Sequence, residues 1–301
     1  MIEDSKVILN QSFFRGSWLH LQDQEFLREY CRISGQIFFN VAAFNVLTRR
    51  HPIVGYVNAY LYSPEIIRSF TEDDANELRF WMRSKGIGQT FVYSSHKYPF
   101  LKNPESNGGT LFIDLTQSEE TLWSNLEQRC RTAIRKAKRN NLTVYIGGGA
   151  EYLRQWYAIY SNLAENRGFS VQPEKVLMGL MNKGWGNLFT AWCGGQLLGG
   201  VFFLFREYCI PLAAGFGIGP ECRRYSPGNL VFWEAIKYAK EQGLYFFDFM
   251  GANDDPNHGP TKFKRSFGGE FIRIYKYSIN GHPIKKWLYN VAVKSKKIFV
   301  H

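Results

Sequence analysis

Residues 227–269 run helix, strand, loop, and this order constrains the fold more than any other stretch of the chain. Pro227 and Gly228 open an apolar-periodic segment that reaches residue 242 and stops at Gly243, proline at the start and glycine past the end. Residues 244–250, Leu-Tyr-Phe-Phe-Asp-Phe-Met, are bulky and aromatic and read as a strand. Residues 208–216 also read as a strand, so the helix is a crossover between two strands. A polar loop over 251–258 then leads to Gly-Pro-Thr-Lys-Phe-Lys-Arg-Ser-Phe-Gly-Gly at 259–269, which reads as a continuation of that loop.

Upstream, helices and strands alternate. Helices are expected near 17–30, over 71–84 with Thr71 and Asp74 as a capping box, over 118–140 capped by Ser118, and from 149 to about 168. In the 118–140 helix, Leu122, Leu126, Cys130, Ala133 and Ala137 share one face. Strand-like runs fall at 36–47, 55–61, 90–93, 110–115, 142–146 and 271–279, and Gly194-Gly-Gln196 joins 188–193 to 197–205 as a hairpin. The class is mixed α/β (α+β), with sheets flanked by helices. At 301 residues two units fit. We expect them over 1–116 and 117–282, with a basic tail over 283–301.

The formal charge is +11, which implies an anionic partner such as nucleic acid, a phosphorylated substrate or a membrane surface, or else simply favours solubility. Five scattered cysteines without a Cys-x-x-Cys argue against a disulfide framework and against a metal site. The acidic, polar start is unlike a signal peptide, and the longest apolar run, 197–205, is far short of the roughly 20 residues that span a bilayer. A cytoplasmic protein is expected. The tail carries five lysines and no acid among Trp287, Leu288 and Tyr289. It would either contact the inner membrane face peripherally or dock as a terminal helix.

Three places could carry chemistry. Arg131, Arg135 and Lys138 lie at i, i+4 and i+7, a cationic stripe suited to phosphates or to solvent. Tyr225, Gly228 and Asn229 stand at the start of the 227–242 helix, where free N–H groups and the dipole favour an anion. A plain cap would use the same residues. In the last stretch, an ammonium near a reacting carbonyl offsets the charge of a tetrahedral intermediate, and Lys264 beside the apolar Phe263 is suited to that task. His258 is a weaker candidate base, and Asp254 and Asp255 read as turn formers.

Several stretches in this order resemble the Fem family of peptidyltransferases. They are Ser12-Phe-Phe with Trp18, Phe112-Ile-Asp-Leu115, residues 119–137, Glu234-Ala-Ile-Lys-Tyr-Ala239 with Gly243 and Asp248, and Phe263-Lys264 with Phe267-Gly-Gly269. The resemblance implies two tandem subdomains with the fold of the Gcn5-related N-acyltransferases (GNAT), the first abridged. It implies amide formation: an amine on a lipid-linked or nucleotide-linked muropeptide attacks the ester of an aminoacyl-tRNA, with no permanently bound cofactor. By the same match, Phe263 contacts the acceptor end and Lys264 offsets the oxyanion. Two alternatives stay open. One is an acyl-CoA or acyl-carrier-dependent N-acyltransferase on an amino sugar or glycan, against which the absence of an Arg/Gln-x-x-Gly-x-Gly/Ala loop near residue 228 counts. The other is a non-catalytic RNA- or membrane-binding module.

Overall fold

The computed structural model describes residues 19–51, 55–206 and 208–282, with Ile284 and Trp287. The family-like residues near position 12 and most of the basic tail therefore lie outside the described residues. The chain divides into two units, residues 1–109 with 272–301 and residues 110–271.

The first unit begins with a 3-10 turn, Leu19–Gln22, and helix α1, Gln24–Ser34. Asp23 caps α1 by accepting from Glu25 N at 2.8 Å and Phe26 N at 3.1 Å. Residues 36–47, expected as one strand, instead turn back as a hairpin of β1, Ile37–Val41, and β2, Phe44–His51. Its corner is Ala42 and Ala43 at φ 52° and 71°. Such turns usually take Asn-Gly, and alanine in this region costs about 1–2 kcal/mol per residue, so no local signal announces the corner. The antiparallel register Val41↔Phe44 through Ile37↔Thr48 holds it.

β3, Gly55–Tyr62, then crosses through α2, Glu72–Lys85, to β4, Gln89–Ser94, which lies parallel to it. The expected capping box is present at Thr71 and Asp74, and Arg68 adds a fork to the Asp74 carboxylate at 2.8 and 2.6 Å. Leu61, Val92, Tyr277 and Ile279 pack with Ala75, Leu78 and Met82 of α2.

The second unit takes up the end of β5, Glu105–Asp114. The helix expected over 118–140 is two helices, α3, Glu119–Asn125, and α4, Gln128–Arg139. Leu126 and Glu127 between them are extended, with ψ of 139° and 149°. The break shifts the helical phase, so the buried face runs Leu122, Leu126, Cys130, Ile134, Ala137, and Ile134 takes the place expected for Ala133. β6, Thr143–Ile146, α5, Gly149–Arg167, and α6, Glu174–Asn182, follow. The meander of β7, Gly186–Cys193, β8, Gln196–Phe205, and β9, Tyr208–Phe216, comes next. Gly194 and Gly195, both at positive φ, make the expected β7–β8 turn.

A short α7, Pro220–Tyr225, precedes the crossover helix α8, Pro227–Glu241, which leads to β10, Phe246–Asp248. α9, Gly259–Arg265, lies where a loop was expected, and β11, Glu270–Asn280, ends the strands. Within this unit the order is β5-β10-β9-β8-β7-β6, a mixed sheet whose parallel neighbours are β9 and β10. β11, expected to belong with the second unit, pairs antiparallel with β4 through Tyr277↔Val92, so residues 272–280 complete the sheet of the first.

Phe232 on α8 is the hub of the second core. Its ring lies 5.5 Å from Phe203, 5.3 Å from Phe249, 5.4 Å from Phe263 and 5.9 Å from Phe267. β8, α8, the chain after β10 and α9 are thereby locked together by apolar burial and ring edges.

Candidate active site

The α3–α4 break seats α9. Glu127 N donates to Ser266 O at 2.9 Å, and Arg129 Nη2 donates to Lys262 O at 2.6 Å. Gly268 and Gly269, at φ 80° and 90°, then turn the chain into β11 against backbone. A Cβ at Gly268 would stand 2.8 Å from Asn125 O, and one at Gly269 would stand 2.4 Å from Phe112 O. The glycine pair is thus required by both conformation and space. From the other side, Thr261 Oγ1 accepts from Asn253 N at 2.8 Å, tying the 251–258 loop to α9.

This seating fixes Phe263 and Lys264. Phe263 meets Phe232 and Phe267 edge to face. Lys264 Nζ donates to Met250 O at 2.8 Å and to Gly251 O at 2.5 Å. An ammonium has three N–H groups, so among the described residues one is left for a third acceptor. Met250 sits in the left-handed region at φ 52°, and Asp248 supports it by accepting from Met250 N at 2.7 Å. Asp248 is buried and also accepts from Thr110 Oγ1. Burial brings the Lys264 ammonium down from 10.5 to about 8, and the charge of Asp248 opposes that shift.

Beside Phe263 lies a cavity of about 320 Å³ at the start of α8, lined among others by Arg167, Phe216, Ser226, Gly228 and Asn229. It forms because β10 pairs with only the first residues of β9, Tyr208 and Cys209, while β9 continues to Phe216. Ser226, at φ 55°, leaves the first turn of α8 without a side-chain cap. A Cβ on Gly228 would make ordinary contact with the Phe216 and Phe263 rings at 3.6 Å, so hydrogen at that position keeps the cavity wide.

Of the residues singled out in the sequence, Phe263, Gly228 and Asn229 share this cavity, and Lys264 is next in the chain to Phe263. Tyr225 instead packs on the core beneath the Arg224 guanidinium, 5.5 Å from its ring centre. His258 precedes α9, and its Nδ1 meets Thr261 Oγ1 at 3.3 Å. Asp255 is a turn former, accepting from Asn257 N at 2.9 Å.

The cationic stripe is engaged within the chain. Arg131 donates to Ser124 O at 2.9 Å and to Leu126 O, closing the end of α3. Arg135 lies over Trp123 at 5.5 Å, and Lys138 pairs with Glu234 at 3.2 Å. None of the three lines the cavity. Ser226 and Thr261 lie inside stretches that the sequence marks but are not singled out there, and Arg167 carries no signal in the sequence. Arg167 is merely the last basic residue of an amphipathic helix there, and only the fold turns it toward α8.

Residues 124–265 match the acetyltransferase (GNAT) domain family. The aminoacyltransferase FemA of Staphylococcus epidermidis is 28% identical over 102 residues, 32% of this chain and 24% of that protein, so the match spans about a quarter of the curated relative's length. Among solved structures, FemX superposes with a TM-score of 0.66 at 15% identity, over 92% of this chain and 95% of that one. The C-terminal domain of a putative lysylphosphatidylglycerol synthetase from Agrobacterium fabrum superposes with a TM-score of 0.58 at 13% identity, over 87% and 89%. The family match covers α5, β9, α7, α8 and α9, the elements that line the cavity and carry Lys264. Residues 124–265 thus carry the likeness to the acetyltransferase (GNAT) domain family, and the chain shares its fold with FemX.

Proposed function

We propose that the protein forms an amide bond by moving an aminoacyl group from aminoacyl-tRNA to an amine on a peptidoglycan precursor. The observation that carries this reading is Lys264, held by two main-chain carbonyls with a third N–H left over, next to Phe263 at the cavity wall. The acceptor amine adds to the ester carbonyl, forming the C–N bond, and the carbonyl oxygen becomes an oxyanion. Lys264 donates to that oxygen. Collapse of the intermediate breaks the bond to the ribose oxygen, which takes a proton as it leaves, and the amine nitrogen gives one up. Fixed donors aimed at developing charge supply the largest share of such catalysis, because they need no reorganisation. The aminoacyl transfer named for FemA supports the choice of an aminoacyl group as what is moved.

A second reading keeps the chemistry and changes the donor to acyl-CoA. The uncapped start of α8 beside Arg167 and the GNAT family match favour it. Purified protein incubated with charged tRNA or with acyl-CoA, and with an amine-bearing muropeptide or an amino sugar, separates the two by the mass gained on the acceptor. Transfer from charged tRNA is expected. Product from acyl-CoA and never from charged tRNA would sink the first reading.

A further inference from the structure

A second cavity, of about 430 Å³, lies against α9 and shares no lining residue with the first. Glu127, Arg129, Pro256, Lys262 and Arg265 line it, three cations around one carboxylate. The carboxylate is occupied, since Glu127 pairs with Arg129 Nε at 2.6 Å. The same guanidinium donates to Lys262 O, so it is fixed from two sides before any ligand arrives. Arg265 lies on the face of Phe271, 4.9 Å from the ring centre, and its Nε is buried without an acceptor among the described residues. A buried donor left unpaired is uncommon in a folded protein and needs an explanation. A small rotation of the guanidinium edge toward the cavity would let one anion accept from Nε and Nη together, the fork that phosphates and carboxylates fit.

Resting on the aminoacyl-tRNA reading, we propose that this cavity binds a backbone phosphate of the RNA that carries the acyl group. Lys262 and Arg265 are three residues apart and face it, while Phe263, between them on the same helix, lines the first cavity. An anion here is therefore about one helical turn away from the group that would meet the ester. A ligand with a single diphosphate fills one anion-favouring site and leaves the other empty. A polynucleotide presents phosphates at regular intervals and can engage both sides of α9 at once.

The test measures binding of deacylated tRNA to wild type, K262Q, R265Q and the double variant over 50–200 mM salt, followed by transfer from charged tRNA and from an aminoacylated mononucleotide. Arg129 is left intact because it also holds α9. Each single change should weaken tRNA binding about 10-fold to 100-fold, the loss of one charge-assisted contact. The double variant should flatten the slope of log affinity against log salt by about 0.7–1 per phosphate released. The advantage of charged tRNA over the mononucleotide in kcat/KM should shrink by at least about 10-fold, as one such contact is worth. Wild-type tRNA affinity and slope in the double variant would overturn the assignment. So would weakened binding of coenzyme A or inorganic phosphate with RNA binding intact. If wild type transfers nothing from charged tRNA while the variants still lose RNA affinity, the donor reading fails and the phosphate site stands.

Discussion

Lys264 and Met250 are joined by a 2.8 Å hydrogen bond from the ammonium to a carbonyl that the strained left-handed backbone at φ 52° turns toward it. The strain is sustained from below, where the Asp248 carboxylate holds Met250 N. A residue fixed in a sparsely populated conformation at a reactive position is a common mark of preorganisation.

Replacing Lys264 with Met removes the cation and keeps most of the volume. If Lys264 stabilises the oxyanion, kcat should fall by roughly 10²–10³ with little change in KM. Steady-state kinetics with charged tRNA would show it, and a loss below about threefold, far under that range, would remove Lys264 from the role.

If Lys264 is the oxyanion donor, its titration sets the alkaline limb of the rate. On that reading the ammonium is the form that donates, so kcat should decline as pH rises through about 8. Stability moves the other way. Between about 8 and 10.5 the folded state has released this proton while the unfolded chain still binds it. Stability therefore rises with pH across that window, and the contribution is lost as pH falls through about 8. In thermal melts from pH 7 to 10, wild type should gain stability relative to Lys264→Met as pH rises.

Asp248→Asn keeps an acceptor for Met250 N and removes the charge that supports the ammonium. The alkaline limb should shift to lower pH with the fold intact. Asp248→Ala also removes that acceptor from a buried site, for a destabilisation of about 1–3 kcal/mol. Urea melts together with pH–rate profiles distinguish the two changes, and an unmoved limb in Asp248→Asn would show that its charge does not act on Lys264.

Gly268→Ala and Gly269→Ala each add a Cβ at positive φ, facing Asn125 O and Phe112 O respectively. The conformational penalty alone is about 1–2 kcal/mol, and the contact with backbone adds to it. Both should lower the unfolding midpoint, Gly269→Ala more because its contact is the shorter.

Gly228→Val puts methyl groups between the Phe216 and Phe263 rings, where even a bare Cβ is already in contact. The helix starts normally, so the fold should hold while KM for the donor rises about 10-fold or more, as an obstructed binding surface loses at least one good contact. An unchanged KM would place the donor elsewhere.

How much of this was legible depends on how local each cause is. The α2 capping box, the Ser118 cap, the Gly194-Gly195 turn and the Pro-in, Gly-out bounds of α8 are determined by residues within a few positions of one another, and they stand where the sequence places them. Phe263, Lys264, Gly228 and Asn229 were visible as a motif and a helix start for the same reason. Other features depend on distant contacts. Ala42-Ala43 turns because β1 and β2 pair, the helix over 118–140 breaks because Glu127 N finds Ser266 O, and β11 joins β4 across the chain. Arg131, Arg135 and Lys138 keep their spacing, yet Trp123, Glu234 and the carbonyls closing α3 occupy them. In their place, packing brings together Arg129, Lys262 and Arg265, from helices more than a hundred residues apart in the chain. Charge periodicity along one helix is a property of sequence, but which cations remain available to a ligand is decided by the neighbours that tertiary structure supplies.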